Sequence, residues 1–133
     1  MNSLLLLLFV LAIATAIGVY LKGQSGVIKR KKRLQLSLAE VGGKYGDRAT
    51  IVQFSTSFCS SCRSAKSLIA DVVKNRADIT YREVDAESNL DLVRRVDIRS
   101  TPTTLFLDKD GFEIARATGA PKRDQLLKVI ASL

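Results

Sequence analysis

The chain has two cysteines, Cys59 and Cys62, and both lie in the run "VQFSTSFCSSCRSAKSLIADVV". Thiols at this spacing can exchange a disulfide, contribute to a metal site, staple the chain, or sit inert in a core. Exchange requires a thiolate, and an ordinary thiol with a pKa of about 8.5 is mostly protonated at neutral pH. A helix N-terminus shifts that balance, because its unpaired N–H groups and the positive end of the helix dipole favour negative charge. The residues before Cys59 read as a strand and those from Ser60 onward as a helix, which places Cys59 at such a terminus. Cys59 is therefore the candidate nucleophile. Cys62, one turn further in, is the candidate for displacing product from a mixed disulfide. The chain has no histidine, so no imidazolium can assist, and Arg63 and Lys66 are the nearby cations in sequence.

Each alternative has a physical weakness, although spacing alone leaves all of them open. Zinc takes about four ligands, and two cysteines without histidine supply only half of them. A disulfide across so short a loop restrains the unfolded chain only slightly. Free cysteines are often simply buried. The strand before the pair and the helix after it favour redox use.

The elements that position the pair follow from periodicity. "ATIVQFS" (49–55) is β-branched and aromatic, as expected of a buried strand. From Ser60 to Arg76, Ala65, Leu68, Ile69, Val72 and Val73 recur with helical spacing. "ITYREVD" (79–85) is a second strand, and "SNLDLVRRVDI" a short helix with Ser88 or Asn89 as its N-cap. "TTLFLD" and "FEIARAT" flank the turn "KDG" and make a hairpin. Pro121 suits the first turn of a last helix, "PKRDQLLKVIASL". Upstream, "RLQLSL" alternates like a strand and "SLAEVGGKYG" reads as a short helix ended by glycines. The order β-α-β-α-β-β-α predicts an α/β fold, a mixed sheet with helices on both faces.

The N-terminus is different in kind. Residues 3–21, "SLLLLLFVLAIATAIGVYL", carry no charge and no proline. About 18 apolar residues at 1.5 Å each span roughly 27 Å, close to the thickness of a bilayer core. A cleaved signal peptide is the rival reading, with "ATA" (14–16) as its cleavage site, but no side-chain charge precedes the apolar run. The expected organisation is a transmembrane helix at 3–21, a basic linker at 22–33 and a folded domain at 34–133. Lys22 and "KRKKR" (29–33) place six positive charges after the span and none before it. The Lys/Arg excess marks the cytoplasmic flank, so the domain is expected on the cytoplasmic side, with an extracytoplasmic domain as the alternative. Residues 34–133 hold 15 Lys and Arg against 13 Asp and Glu. That near balance argues against a nucleic-acid partner, and the basic run beside the span suits anionic headgroups.

A second signal lies 40 residues after Cys62, where Pro102 stands at the entrance to a strand in "VDIRSTPTTLFLDKDG". With "IVQFSTSFCSSCR", "YREVDAE" and "ATGAPKRDQLLKVI", in this order and spacing, the chain resembles the thioredoxin family from Arg48 to Leu133. The resemblance implies a thioredoxin-like fold, an exposed nucleophile at Cys59, a resolving Cys62, and a cis Pro102 beside the sulfurs. It implies that Thr101 offers its backbone to a substrate segment and that Gly119 lies near the same surface. The chain departs from the family at five positions. Ser60-Ser61 replaces Gly-Pro, Phe58 replaces a tryptophan, Ser55 replaces another, and Gln53 replaces a buried aspartate. Phe58 can still offer an apolar contact surface. Gln53, a supporting residue beneath the cysteines, cannot relay a proton as a carboxylate does.

The expected function is thiol–disulfide exchange with protein disulfides by a membrane-tethered domain, with no metal and no organic cofactor. A thiol reductase or a membrane thiol carrier would restore the dithiol, and the bilayer would be contacted through residues 3–21. The alternative is a membrane-anchored adaptor that uses the same fold to bind a partner without redox turnover.

Overall fold

The computed structural model describes residues 2–24, 26, 28–29 and 34–133. The basic run expected to orient the chain lies outside the described residues from 30 to 33.

The leucine-rich N-terminus forms one helix, α1 (Ser3–Gln24). It is long and apolar enough to cross a membrane, and none of it is buried against the rest of the molecule. Within it, Thr15 Oγ1 donates to Leu11 O at 2.7 Å.

The domain is built on five strands: β1 (Ile28–Lys29), β2 (Ala49–Ser55), β3 (Ile79–Asp85), β4 (Thr103–Asp108) and β5 (Glu113–Thr118). Their order across the sheet is β1-β5-β4-β2-β3. β2 and β3 run parallel and are joined by α2 (Ser60–Val73), as a parallel pair requires. The β4–β5 hairpin is antiparallel and closes at Lys109–Gly111, where Asp108 Oδ1 accepts from the N–H groups of Asp110 and Phe112. The short β1 pairs with the outer side of β5 and covers an edge that would otherwise be open.

Alternation along β2 divides the core. Ala49 and Ile51 point to one face, where Ile69 of α2 and Leu126 and Ile130 of α4 (Arg123–Ala131) pack on them with Phe106. Val52 and Phe54 point to the other face, with Leu36, Leu105, Leu107, Val96 and Ile98 and the partly buried Leu92 and Val93 of α3 (Leu90–Arg95). Each large side chain removed from water contributes about 1.5–3 kcal/mol. Helices therefore cover both faces, as expected, because the central strands are apolar on both sides.

Two local expectations change. Residues 34–43 form no strand and no full helix. Gln35 makes an isolated bridge to Phe112. A helical turn starts at Ser37, whose N–H and hydroxyl both donate to Glu40 Oε2, the pattern of a capping box. It ends after one turn because Gly42 (φ 83°) and Gly43 (φ 90°) close it, with Gly43 N–H donating to Leu38 O at 2.6 Å. Pro121 stands before the last helix rather than inside its first turn. Lys122 is the extended N-cap, and its carbonyl takes the Leu126 N–H.

A buried ion pair on β5 links the sheet to α3. Glu113, 1% exposed, lies against Arg116, 11% exposed. Arg116 Nη2 donates to Glu113 Oε2 at 2.7 Å and to Val96 O at 3.1 Å, which caps the C-terminus of α3.

Candidate functional site

Cys59 is the N-cap of α2, with extended backbone angles (φ −99°, ψ 101°). This follows from sequence. The apolar strand ends at Ser55, the polar "TSF" turns the chain, and the first helical residues carry no acidic side chain against the positive helix end. Cys62 N–H donates to Cys59 Sγ at 3.1 Å. The two sulfurs are joined as a disulfide, with the Cα atoms 5.2 Å apart. Cys59 is partly exposed whereas Cys62 is 4% exposed, so the pair is asymmetric in access. Phe58, immediately before it, is 98% exposed and available to a partner.

Beneath the pair, Gln53 is fully buried, and both ends of its amide are engaged. Nε2 donates to Cys62 O at 2.9 Å, and Oε1 accepts from the Tyr81 hydroxyl at 2.7 Å. Burial, and then the negative charge of Glu83, push the Tyr81 hydroxyl well above its ordinary range, so it stays protonated and keeps donating. Thr104 stands opposite Gln53 on β4, and its buried hydroxyl has no hydrogen-bond partner among the described residues.

A cavity of about 250 Å³ opens beside the sulfurs, lined by Cys59, Cys62, Arg63, Lys66, Glu83 and Asp85 among others. Glu83 stands opposite Gln53 on β3 and pairs with Lys66 at 3.0 Å. The Asp85 carboxyl is held below its usual range by the Ser88 hydroxyl and the Glu87 N–H. Its oxygens are thus committed to the loop, with contacts of 2.6 and 2.9 Å.

On the other side of Cys62, the Thr101–Pro102 bond is cis. Thr101 Oγ1 lies 3.3 Å from Thr56 Oγ1, and Gly119 N–H donates to Pro102 O at 2.8 Å. Thr101, Pro102 and Gly119 share a groove with Ser61, so residues distant in sequence meet at one end of the sheet. The groove and the cavity flank the disulfide. Of the other polar residues at the site, the sequence points to Arg63 and Lys66 only as nearby cations, and it does not single out Glu83 or Tyr81. Both of the latter sit in "ITYREVD", and only the parallel register that places β3 beside β2 brings them to Gln53 and the cavity.

This arrangement of a strand, an N-cap cysteine, a second cysteine one turn on and a cis proline before β4 is matched in sequence. The Thioredoxin family profile matches residues 39–132. The chain belongs to the thioredoxin family. It is 30% identical over 105 residues to Thioredoxin H5 of Oryza sativa subsp. japonica, covering 79% of this chain and 76% of that protein. Thioredoxin H2 of Arabidopsis thaliana is 30% identical over 101 residues, covering 76% and 73%. The crystal structure of thioredoxin NaTrxh from Nicotiana alata superposes with a TM-score of 0.58 at 27% identity, over 65% of this chain and 73% of that one. With the family established and its cysteine pair in disulfide geometry, this thioredoxin is a thiol–disulfide oxidoreductase. The family profile match begins at residue 39, after α1 and β1.

Proposed function

We propose that this thioredoxin is tethered to a membrane by residues 3–21 and exchanges disulfides with protein substrates through Cys59 and Cys62. The observation that carries the reading is Cys59 at the N-cap of α2, with the Cys62 N–H directed at its sulfur. In the reduced protein those groups favour a thiolate at Cys59. That thiolate attacks one sulfur of a substrate disulfide and expels the other as a thiolate. Cys62 then loses its proton, attacks the Cys59 sulfur and expels the second substrate thiolate. Two electrons pass to the substrate, and the Cys59–Cys62 disulfide is left. A dithiol reductase or a membrane thiol carrier supplies two electrons to reset the pair. Phe58, Thr101, Pro102 and Gly119 form the docking surface around the sulfurs. Turnover of a model protein disulfide with an external dithiol tests this function, and binding of a partner without turnover would leave an adaptor.

The proton on Cys62 needs an acceptor, and Gln53 is not one. Asp85 is bound to its own loop. Glu83 remains, lining the same cavity as both sulfurs. Glu83→Gln is expected to slow release of substrate from the mixed disulfide about tenfold at neutral pH. The deficit should shrink as pH rises and solvent takes the proton. Stopped-flow rates of the second step across pH measure this, and a profile matching the unsubstituted protein would remove Glu83 from the mechanism. The exposed Lys66–Glu83 pair adds little to stability, so folding should be preserved.

The domain is placed on the cytoplasmic side, supported by the six Lys and Arg that follow the span. A membrane-impermeant thiol reagent should then leave Cys59 unmodified in intact cells whose thiols are reduced. Labelling as strong as in lysed cells would reverse the topology.

A further inference from the structure

The groove beside Pro102 is built partly from the apolar N-terminal helix. Leu21, in the last turn of α1, lines it with Ser61, Thr101, Pro102, Thr118 and Gly119. It is an open groove of about 540 Å³, and none of these six residues is charged. The chain that follows α1 is fastened to the same end of the sheet. Gly26 N–H donates to Thr118 O at 2.7 Å, and Ile28 and Lys29 pair with Ala117 and Arg116. Gly26 has φ +79°, and a Cβ there would fall 2.3 Å from the Ala120 carbonyl oxygen, so its backbone lies directly against the loop after β5. Only glycine combines that conformation with that approach.

The distance available is short. Gln24 ends α1, and Gly26 is two residues on, a separation of at most about 7 Å between Cα atoms. Lys22 is the first charge after the apolar run, at the level where headgroups begin. Tyr20 beside it is 67% exposed, an aromatic of the kind that sits at that level. Helix end and groove therefore cannot separate, and the groove opens about a nanometre or less from the headgroups.

We infer that this groove is a docking site for disulfides carried close to the bilayer, on the juxtamembrane segment of a second membrane protein. This rests on the membrane-tether reading above. The groove suits an extended segment with small uncharged side chains, because its own lining is small and uncharged and one wall is a leucine of the span. A partner embedded in the same bilayer holds its disulfide at the right height when a few residues separate it from its own span. A longer spacer dilutes it, since effective concentration falls roughly as the −3/2 power of spacer length. The redox step is unchanged: the Cys59–Cys62 dithiol gives two electrons to the partner's disulfide and becomes a disulfide itself.

The experiment uses the full chain in phospholipid vesicles, with a dithiol reductant supplied. Two single-span reporter peptides carry the same small disulfide loop, one about 3 and the other about 20 residues beyond the span. The near reporter should be reduced about tenfold faster than the far one. A variant with twenty Gly/Ser residues inserted between Gln24 and Ser25 keeps Gly26 and everything after it but loosens the tether. It should lose most of that preference while still turning over a soluble protein disulfide. Three results overturn the inference, and they differ in what else they remove. Failure of the chain to float with vesicles after alkaline washing removes the tether as well. Floating without turnover of the soluble disulfide removes the exchange mechanism as well. Floating and turnover with equal rates on near and far reporters removes this inference alone.

Discussion

Cys62→Ser holds a substrate protein in a covalent adduct, and Cys59→Ser does not. The difference follows from one helix terminus. Cys59 is the partly exposed N-cap of α2, while Cys62 is 4% exposed. Only Cys59 is placed to meet an incoming disulfide, and the N–H of residue 62 remains to stabilise its thiolate in the Cys62→Ser variant. That variant completes the first attack and then stalls, because a serine hydroxyl does not displace a thiolate from the mixed disulfide. Loss of Cys59 removes the nucleophile, and turnover should drop to the background of the reductant. Non-reducing electrophoresis and mass spectrometry of the adduct give the measurement. In the reduced protein, alkylation at mildly acidic pH should also modify Cys59 well before Cys62. Equal trapping by the two variants, or none by either, would falsify the assignment and favour the adaptor.

The largest stability effect is expected at Arg116, far from the sulfurs. Arg116→Ala leaves the Glu113 carboxylate 1% exposed in the unsubstituted fold and without its cation, and it uncaps the Val96 carbonyl at the end of α3. Removing one member of a buried pair costs about 3–5 kcal/mol. For a domain of this size that lowers the melting temperature by roughly 15–25 °C. Arg116→Met with Glu113→Gln together should cost less than Arg116→Ala alone, since no unpaired charge stays buried. Denaturant unfolding of the three variants decides the matter. A loss under about 1 kcal/mol for Arg116→Ala would show that water reaches Glu113 and that the pair does not tie α3 to the sheet.

The two sites depend on different kinds of order, and this bears on what could be read before the fold was known. The strands and helices from Ala49 to Ala131 were legible because their apolar residues keep one period over many positions. Cys59 at a helix start was legible for the same reason, since the period changes between Ser55 and Ser60. The stretch from Leu34 to Gly43 was not legible as it folds. Local signals conflict there: a capping pattern at Ser37 begins a turn that two glycines end before it can lengthen.

Sequence by itself determined the cysteine pair, the order of elements from β2 onward, the apolar N-terminal run and the charge asymmetry around it; β1, inside the expected linker, was not legible. All are properties of neighbours along the chain, where propensity and periodicity act. Tertiary structure decided which distant groups meet. It set Glu83 opposite Gln53, closed the amide of Gln53 between Tyr81 and Cys62, and paired Arg116 with the last carbonyls of α3. It also pinned Gly26 to Thr118 and against Ala120, which brings the end of α1 to the groove. Most of these contacts join residues twenty or more positions apart. They depend on strand register and sheet order, which are set by how two faces of one sheet bury their apolar side chains at once.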